Sequence, residues 1–124
     1  MALDIELVDQ GRGTHRVRLT GRLDTVTAPD LDRRLEPLLG DPAVSALVLE
    51  LGGLEYISSA GIRSVVRARK ALEGRGGRVA LVGLQPPVQK VFDIVKALPA
   101  SQIFASVAEL DAYLDTLQRR AGGG

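Results

Sequence analysis

Cysteine is absent from the 124 residues, which excludes disulfides, zinc–thiolate sites and thiol catalysis. Aromatic residues make up only 3%, two Tyr and two Phe with no Trp, too few to build a base-stacking platform for single-stranded nucleic acid. Charge of one sign is also missing: 16 Lys and Arg face 15 Asp and Glu, so no global field draws the chain to nucleic acid or an acidic membrane. No apolar run approaches the ~20 residues needed to cross a bilayer. The amino terminus has no basic segment or apolar core of a secretory signal. His15 is the only histidine, with no acidic cluster around it, so a metal site has no ligand set. These absences predict a cytoplasmic protein without cofactor, metal, nucleic-acid partner or membrane insertion.

What is present is an ordinary apolar content, 45%, arranged in alternating periods. Ile5 and Leu7, then Val17 and Leu19, alternate with charged residues and predict two half-buried strands joined through Gln10–Gly13 as a hairpin. Gly21 is expected to end the second strand. Thr27 reads as the N-cap of a helix with Pro29 in its first turn and Leu31, Leu35 and Leu38 inward. Pro37 is expected to kink or end that helix early. Val44–Leu51 reads as a central buried strand, and Ile62, Val65, Val66 and Leu72 place a helix over 59–72. Arg78–Val82 is another short strand. Pro86-Pro87 opens a helix with Val88, Val91, Phe92 and Val95 inside. An extended piece near Ile103 and Phe104 and a helix from Ser106 with Leu110, Leu114 and Leu117 inward complete the chain. The predicted fold class is α/β, a mixed and mostly parallel sheet with about four helices mainly on one side. One domain covers 3–118, and 119–124 is expected to be a flexible tail.

The stretch Ile57-Ser-Ser-Ala-Gly-Ile62 stands where strand gives way to helix. Ser58 is a good N-cap, because its hydroxyl can accept from an unpaired helix N–H. Ser59 falls in the first turn, near the positive end of the helix dipole. A phosphate on either serine would meet N–H donors, the physics by which helix N-termini hold phosphates. Enzymatic readings lack parts. Ile57 occupies the position where a nucleophile elbow needs glycine, and His15 is the only candidate base. Gly74–Gly77 lacks the Lys-Ser/Thr ending of a phosphate-binding loop and precedes a strand. The chain is therefore expected not to be an enzyme. On the 59–72 helix, Arg63, Arg67 and Lys70 form a stripe that is either a solvated face or a docking surface for an acidic partner. Arg69 falls within the apolar sector and is expected to snorkel outward.

The order of elements, the segment Gly21-Arg-Leu-Asp24-Thr-Val-Thr-Ala28 and the serine motif together resemble the STAS domain, and within it the bacterial anti-sigma factor antagonists. The resemblance spans residues 3 to 118. It implies a protein that binds an anti-sigma factor, often itself a serine kinase, until serine phosphorylation blocks binding and a PP2C-type phosphatase restores it. The family motif reads Asp-Ser-Ser/Thr-Gly. Aligned on Gly61, the phosphorylated serine is Ser59, the Asp position holds Ser58, and the second hydroxyl is replaced by Ala60. Ser58 is left as a rival acceptor, although a plain N-cap accounts for it. Asp24 matches a family Asp near the phosphoserine, or is simply a turn residue. The partner-binding set is thus Asp24, Ser58, Ser59, Arg63, Arg67 and Lys70. A STAS subunit of a membrane-lipid ABC transport complex, docking on its ATPase, is the alternative.

Overall fold

A computed structural model describes residues 3–95. Two strands, β1 (Leu3–Gly11) and β2 (Thr14–Leu23), form the expected hairpin. Its turn carries three consecutive positive φ angles, at Gly11 (82°), Arg12 (56°) and Gly13 (79°). Left-handed backbone at both central positions is what a two-residue turn needs to match the twist of its strands, and glycine supplies it without steric cost. Helix α1 (Ala28–Leu39), strand β3 (Ala46–Ile57), helix α2 (Ser59–Glu73), strand β4 (Arg78–Val82) and helix α3 (Pro86–Val95) follow. The sheet order is β1-β2-β3-β4, antiparallel in the first pair and parallel in the next two.

Because the strand order never reverses, right-handed crossovers carry α1 and α2 to the same face. That face holds the core. Val17 and Leu19 of β2, Leu47, Leu49 and Leu51 of β3, Leu31 and Leu35 of α1, Ile62, Val65 and Leu72 of α2, and Val88, Val91 and Phe92 of α3 pack as one cluster. The opposite face carries charge. Arg16 pairs with Glu50 at 3.3 Å, and Arg18 bridges Glu50 at 3.1 Å and Glu6 at 3.9 Å. A solvated, ion-paired face opposite an apolar one is the pattern of a sheet covered on a single side.

Four local expectations are corrected. β3 starts at Ala46 rather than Val44 and runs six residues past Leu51 to Ile57. Gly52-Gly53 does not break it, because the register against β2 slips there and again before Tyr56, so the strand absorbs extra residues as bulges. β2 likewise continues past Gly21 to Leu23, with Gly21 at φ 111°. Pro37 lies inside α1, which ends only at Leu39. So close to the helix end, proline forfeits one hydrogen bond to the carbonyl of exposed Arg33, which water can serve. Thr27 is not a side-chain cap: its Oγ1 donates to the Arg22 carbonyl at 2.8 Å and accepts the Asp24 N–H at 2.9 Å.

Three helices lie within the described residues. The extended piece at Ile103 and Phe104, the helix from Ser106 and the tail 119–124 lie outside them, as does the inward placement of the Val95 side chain.

Candidate functional site

The serine corner is assembled from the ends of β2 and β3 and the head of α2. The Ser58 N–H donates to the Leu23 carbonyl at 2.9 Å, which extends the β2–β3 pairing by one bond beyond Ile57. Ser58 itself has φ −98° and ψ 176°, extended like a strand residue, and its carbonyl already accepts from Ile62 N–H at 2.9 Å. It is the N-cap, as expected, with Oγ accepting from Gly61 N–H at a long 3.5 Å. Ser59 then opens the first helical turn. Both hydroxyl residues are enclosed: Ser58 is 5% exposed and Ser59 is 0% exposed.

Gly61 explains why the corner closes so tightly. A Cβ at this position would lie 2.7 Å from Leu23 Cγ and 2.8 Å from Ile57 Cγ1. The missing side chain lets the first turn of α2 seat directly on the ends of β2 and β3.

The loop before α1 forms the rim. Asp24 Oδ1 accepts from Val26 N–H at 3.0 Å and Thr27 N–H at 3.1 Å, so Asp24 does act as the turn residue its sequence context suggests. Its second oxygen lies 4.0 Å from Arg22 Nε, and the Arg22 guanidinium stacks 4.0 Å over the Tyr56 ring. At the tip of this loop Val26 is 80% exposed. A nearly bare valine in the loop that follows Leu23, whose carbonyl accepts from the Ser58 N–H, is an exposed apolar residue that sequence reasoning missed. The signal available was a β-branched residue in a turn fixed by Asp24, where little holds it inside.

The basic stripe is not uniform. Arg67 Nη1 pairs with Asp32 of α1 at 3.1 Å, so it joins α1 to α2. Arg63 is half-buried, and its Nε is enclosed with no hydrogen-bond partner among the described residues. Lys70 is exposed. Arg69 reaches solvent as expected and pairs with Glu73 one turn on, at 3.1 Å. Asp24, Ser58, Ser59 and Arg63 therefore gather at the head of α2, while Arg67 and Lys70 lie progressively farther along it.

His15 sits near the start of β2, whereas the serine corner closes on the carbonyl of Leu23 at its end. Eight strand residues separate them by ~26 Å, at ~3.3 Å each. At that separation the imidazole cannot take a proton directly from either hydroxyl. No group of acidic or imidazole side chains suited to a metal occurs among the described residues, and no described helix is long and apolar enough to cross a membrane.

Residues 7–110 match the family model described as the STAS domain. The anti-sigma F factor antagonist of Paenibacillus polymyxa is 29% identical over 94 residues, covering 76% of this chain and 80% of that protein. Among solved structures, the anti-sigma factor antagonist SpoIIAA in its unphosphorylated form superposes with a TM-score of 0.65 at 25% identity, over 73% of this chain and 83% of that one. The phosphorylated form of the Bacillus cell fate determinant SpoIIAA gives the same TM-score and identity over 74% and 83%.

Proposed function

This chain belongs to the STAS domain family, and we propose that within it the protein is an anti-sigma factor antagonist switched by phosphorylation of Ser59. The observation that carries this reading is the corner itself. A serine stands in the first turn of α2 beside the Asp24 loop, in a chain similar to antagonists of that name. Unphosphorylated, the corner carries no charge on its enclosed serines, and exposed Val26 in the Asp24 loop is available to a partner. A kinase partner would transfer the γ-phosphoryl group of ATP to Ser59 Oγ, with loss of the hydroxyl proton and release of ADP. The product carries a charge of about −1.5 to −2, which an acidic partner surface repels and any partner must desolvate. A PP2C-type phosphatase would return the serine by hydrolysis, releasing inorganic phosphate. The protein itself contributes no catalysis in this scheme, and it works in the cytoplasm.

Burial of Ser59 adds a kinetic condition. A fully enclosed hydroxyl reaches a kinase only when the first turn of α2 or the Asp24 loop opens, so phosphorylation is gated by local opening. Incubation with the partner kinase and ATP, followed by mass-spectrometric mapping, tests the reading. Label should appear on Ser59 and vanish in Ser59→Ala. Label on Ser58 alone would overturn the alignment of the motif. Absence of label on both, with a transporter ATPase as the bound partner, would establish the transport-subunit alternative instead.

A further inference from the structure

We propose that Arg63 is the internal counter-ion of phosphorylated Ser59, and that phosphorylation acts in part by withdrawing Arg63 from the partner. The inference rests on the reading of Ser59 as the modified residue, and deepens it by naming the group that receives the phosphate. Arg63 lies four residues after Ser59 on α2. Residues so spaced stack on one helix face, and their Cα–Cβ bonds tilt toward the helix N-terminus, so the Arg63 side chain leans over the turn that holds Ser59.

Two observations set Arg63 apart from its neighbours on the stripe. Arg67, one turn farther, already has a carboxylate in Asp32 at 3.1 Å. Arg63 has an enclosed Nε without a hydrogen-bond partner among the described residues. A buried donor left unmatched carries a desolvation cost, and an arriving acceptor relieves it. A phosphate on Ser59 has the opposite need. It is a multiply charged group formed in a place closed to water, where a charge persists only if paired and hydrogen-bonded. One turn away stands the guanidinium whose fork suits phosphate oxygens, with a donor to spare.

Before phosphorylation, Arg63 is only half-buried, so the outer edge of its guanidinium is available to a carboxylate on an acidic partner although its Nε is enclosed. Arg63 is therefore contested between partner and phosphate, and the phosphate, being covalently tethered, competes at high effective concentration. Arg63 thus differs in role from Arg67, which braces α1 against α2, and the stripe divides into a switching residue and a structural one.

The experiment uses the full chain with phosphoserine placed at position 59 during translation by nonsense suppression, so no kinase is needed. Phosphorus NMR then follows the second ionisation of the phosphate in wild type, Arg63→Gln and Arg67→Gln. An adjacent guanidinium favours the dianion, so the wild-type midpoint should fall below the ordinary value of about 6, and Arg63→Gln should raise it by about half a unit or more. Arg67→Gln should leave it in place. Equal midpoints in wild type and Arg63→Gln would overturn the proposal, as would an equal shift in Arg67→Gln. If Arg63→Gln does not fold, Arg63→Lys decides. It keeps a charge but has no Nε and no fork, so a midpoint identical to wild type counts against the assignment and a raised one supports it. The result is independent of kinase labelling: a failed phosphate–Arg63 contact leaves phosphorylation of Ser59 standing, and missing kinase label on Ser59 defeats the switch itself.

Discussion

At the scale of single residues, the corner depends on what is missing from one of them and what is bare on another. Gly61 is required by contact, since an added Cβ would meet Leu23 and Ile57 below 3.0 Å and neither can swing away from its strand end. Gly61→Ala should therefore cost about 1–3 kcal/mol, the usual range for overpacking. Denaturant melts check this, and a variant as stable as wild type would mean that α2 does not sit so close to the sheet. Val26 tests the opposite property. It is 80% exposed, so it contributes little to stability and is available to a partner. Val26→Asp should leave the melting temperature within about 1 °C while weakening partner binding tenfold or more, equivalent to ~1.4 kcal/mol. Unchanged affinity would place the interface away from the Asp24 loop.

At the scale of elements, the pair α1–α2 shares the apolar core and is tied at two further points by polar side chains, only one of them an ion pair. Arg67–Asp32 joins the helices midway. Beyond the end of α2, Arg75 extends its guanidinium across the chain to four carbonyls, those of Leu38, Leu39, Asp41 and Val44, at 2.6–3.3 Å. It thereby adds side-chain donors to carbonyls at the end of α1 and in the turn into β3, where those of Leu38 and Asp41 also accept backbone N–H groups. Arg75→Ala should cost about 1–3 kcal/mol, and Arg75→Lys should recover little of it, because a compact ammonium cannot span a fork's worth of acceptors. Equal melts for Arg75→Lys and wild type would show that charge alone suffices.

This staple also marks the limit of what local pattern reveals. The bounds of α2 and β4 were legible because the apolar period changes at Ser58 and again at Arg78. The end of β3 was not, since the apolar run stops at Leu51 and the residues beyond it are held as strand, with register shifts, only when β2 lies alongside. Thr27 reads as a cap because its neighbours fit one, yet Asp24 and Arg22 claim its hydroxyl. Motif and spacing place Ser58 as the N-cap of α2 and Asp24 as a turn residue, and the structure agrees on both. The pairing of Arg67 with Asp32 and the reach of Arg75 could not be read that way, because each joins residues more than 30 positions apart that meet only after the crossovers are made.

At the scale of the whole molecule, one face of the sheet is closed by helices and the other by ion pairs. The near-neutral balance of 16 basic and 15 acidic residues leaves no long-range field, so on the proposed reading recognition rests on local contacts at the corner where β2, β3 and α2 meet. On the proposed reading, a phosphate on enclosed Ser59 is added when the first turn of α2 opens, and helix N–H groups and the Arg63 guanidinium should then stabilise it at the head of α2 while the sheet core stays in place. The fold should persist through the switch while the interface does not. The most direct measurement is the affinity of the full chain for its anti-sigma factor, by calorimetry, with Ser59 either unmodified or phosphorylated. Phosphorylation should cost at least a hundredfold in affinity, about 2.7 kcal/mol, with Ser59→Ala binding as the unmodified protein does. Equal affinities for the two forms would contradict the switch.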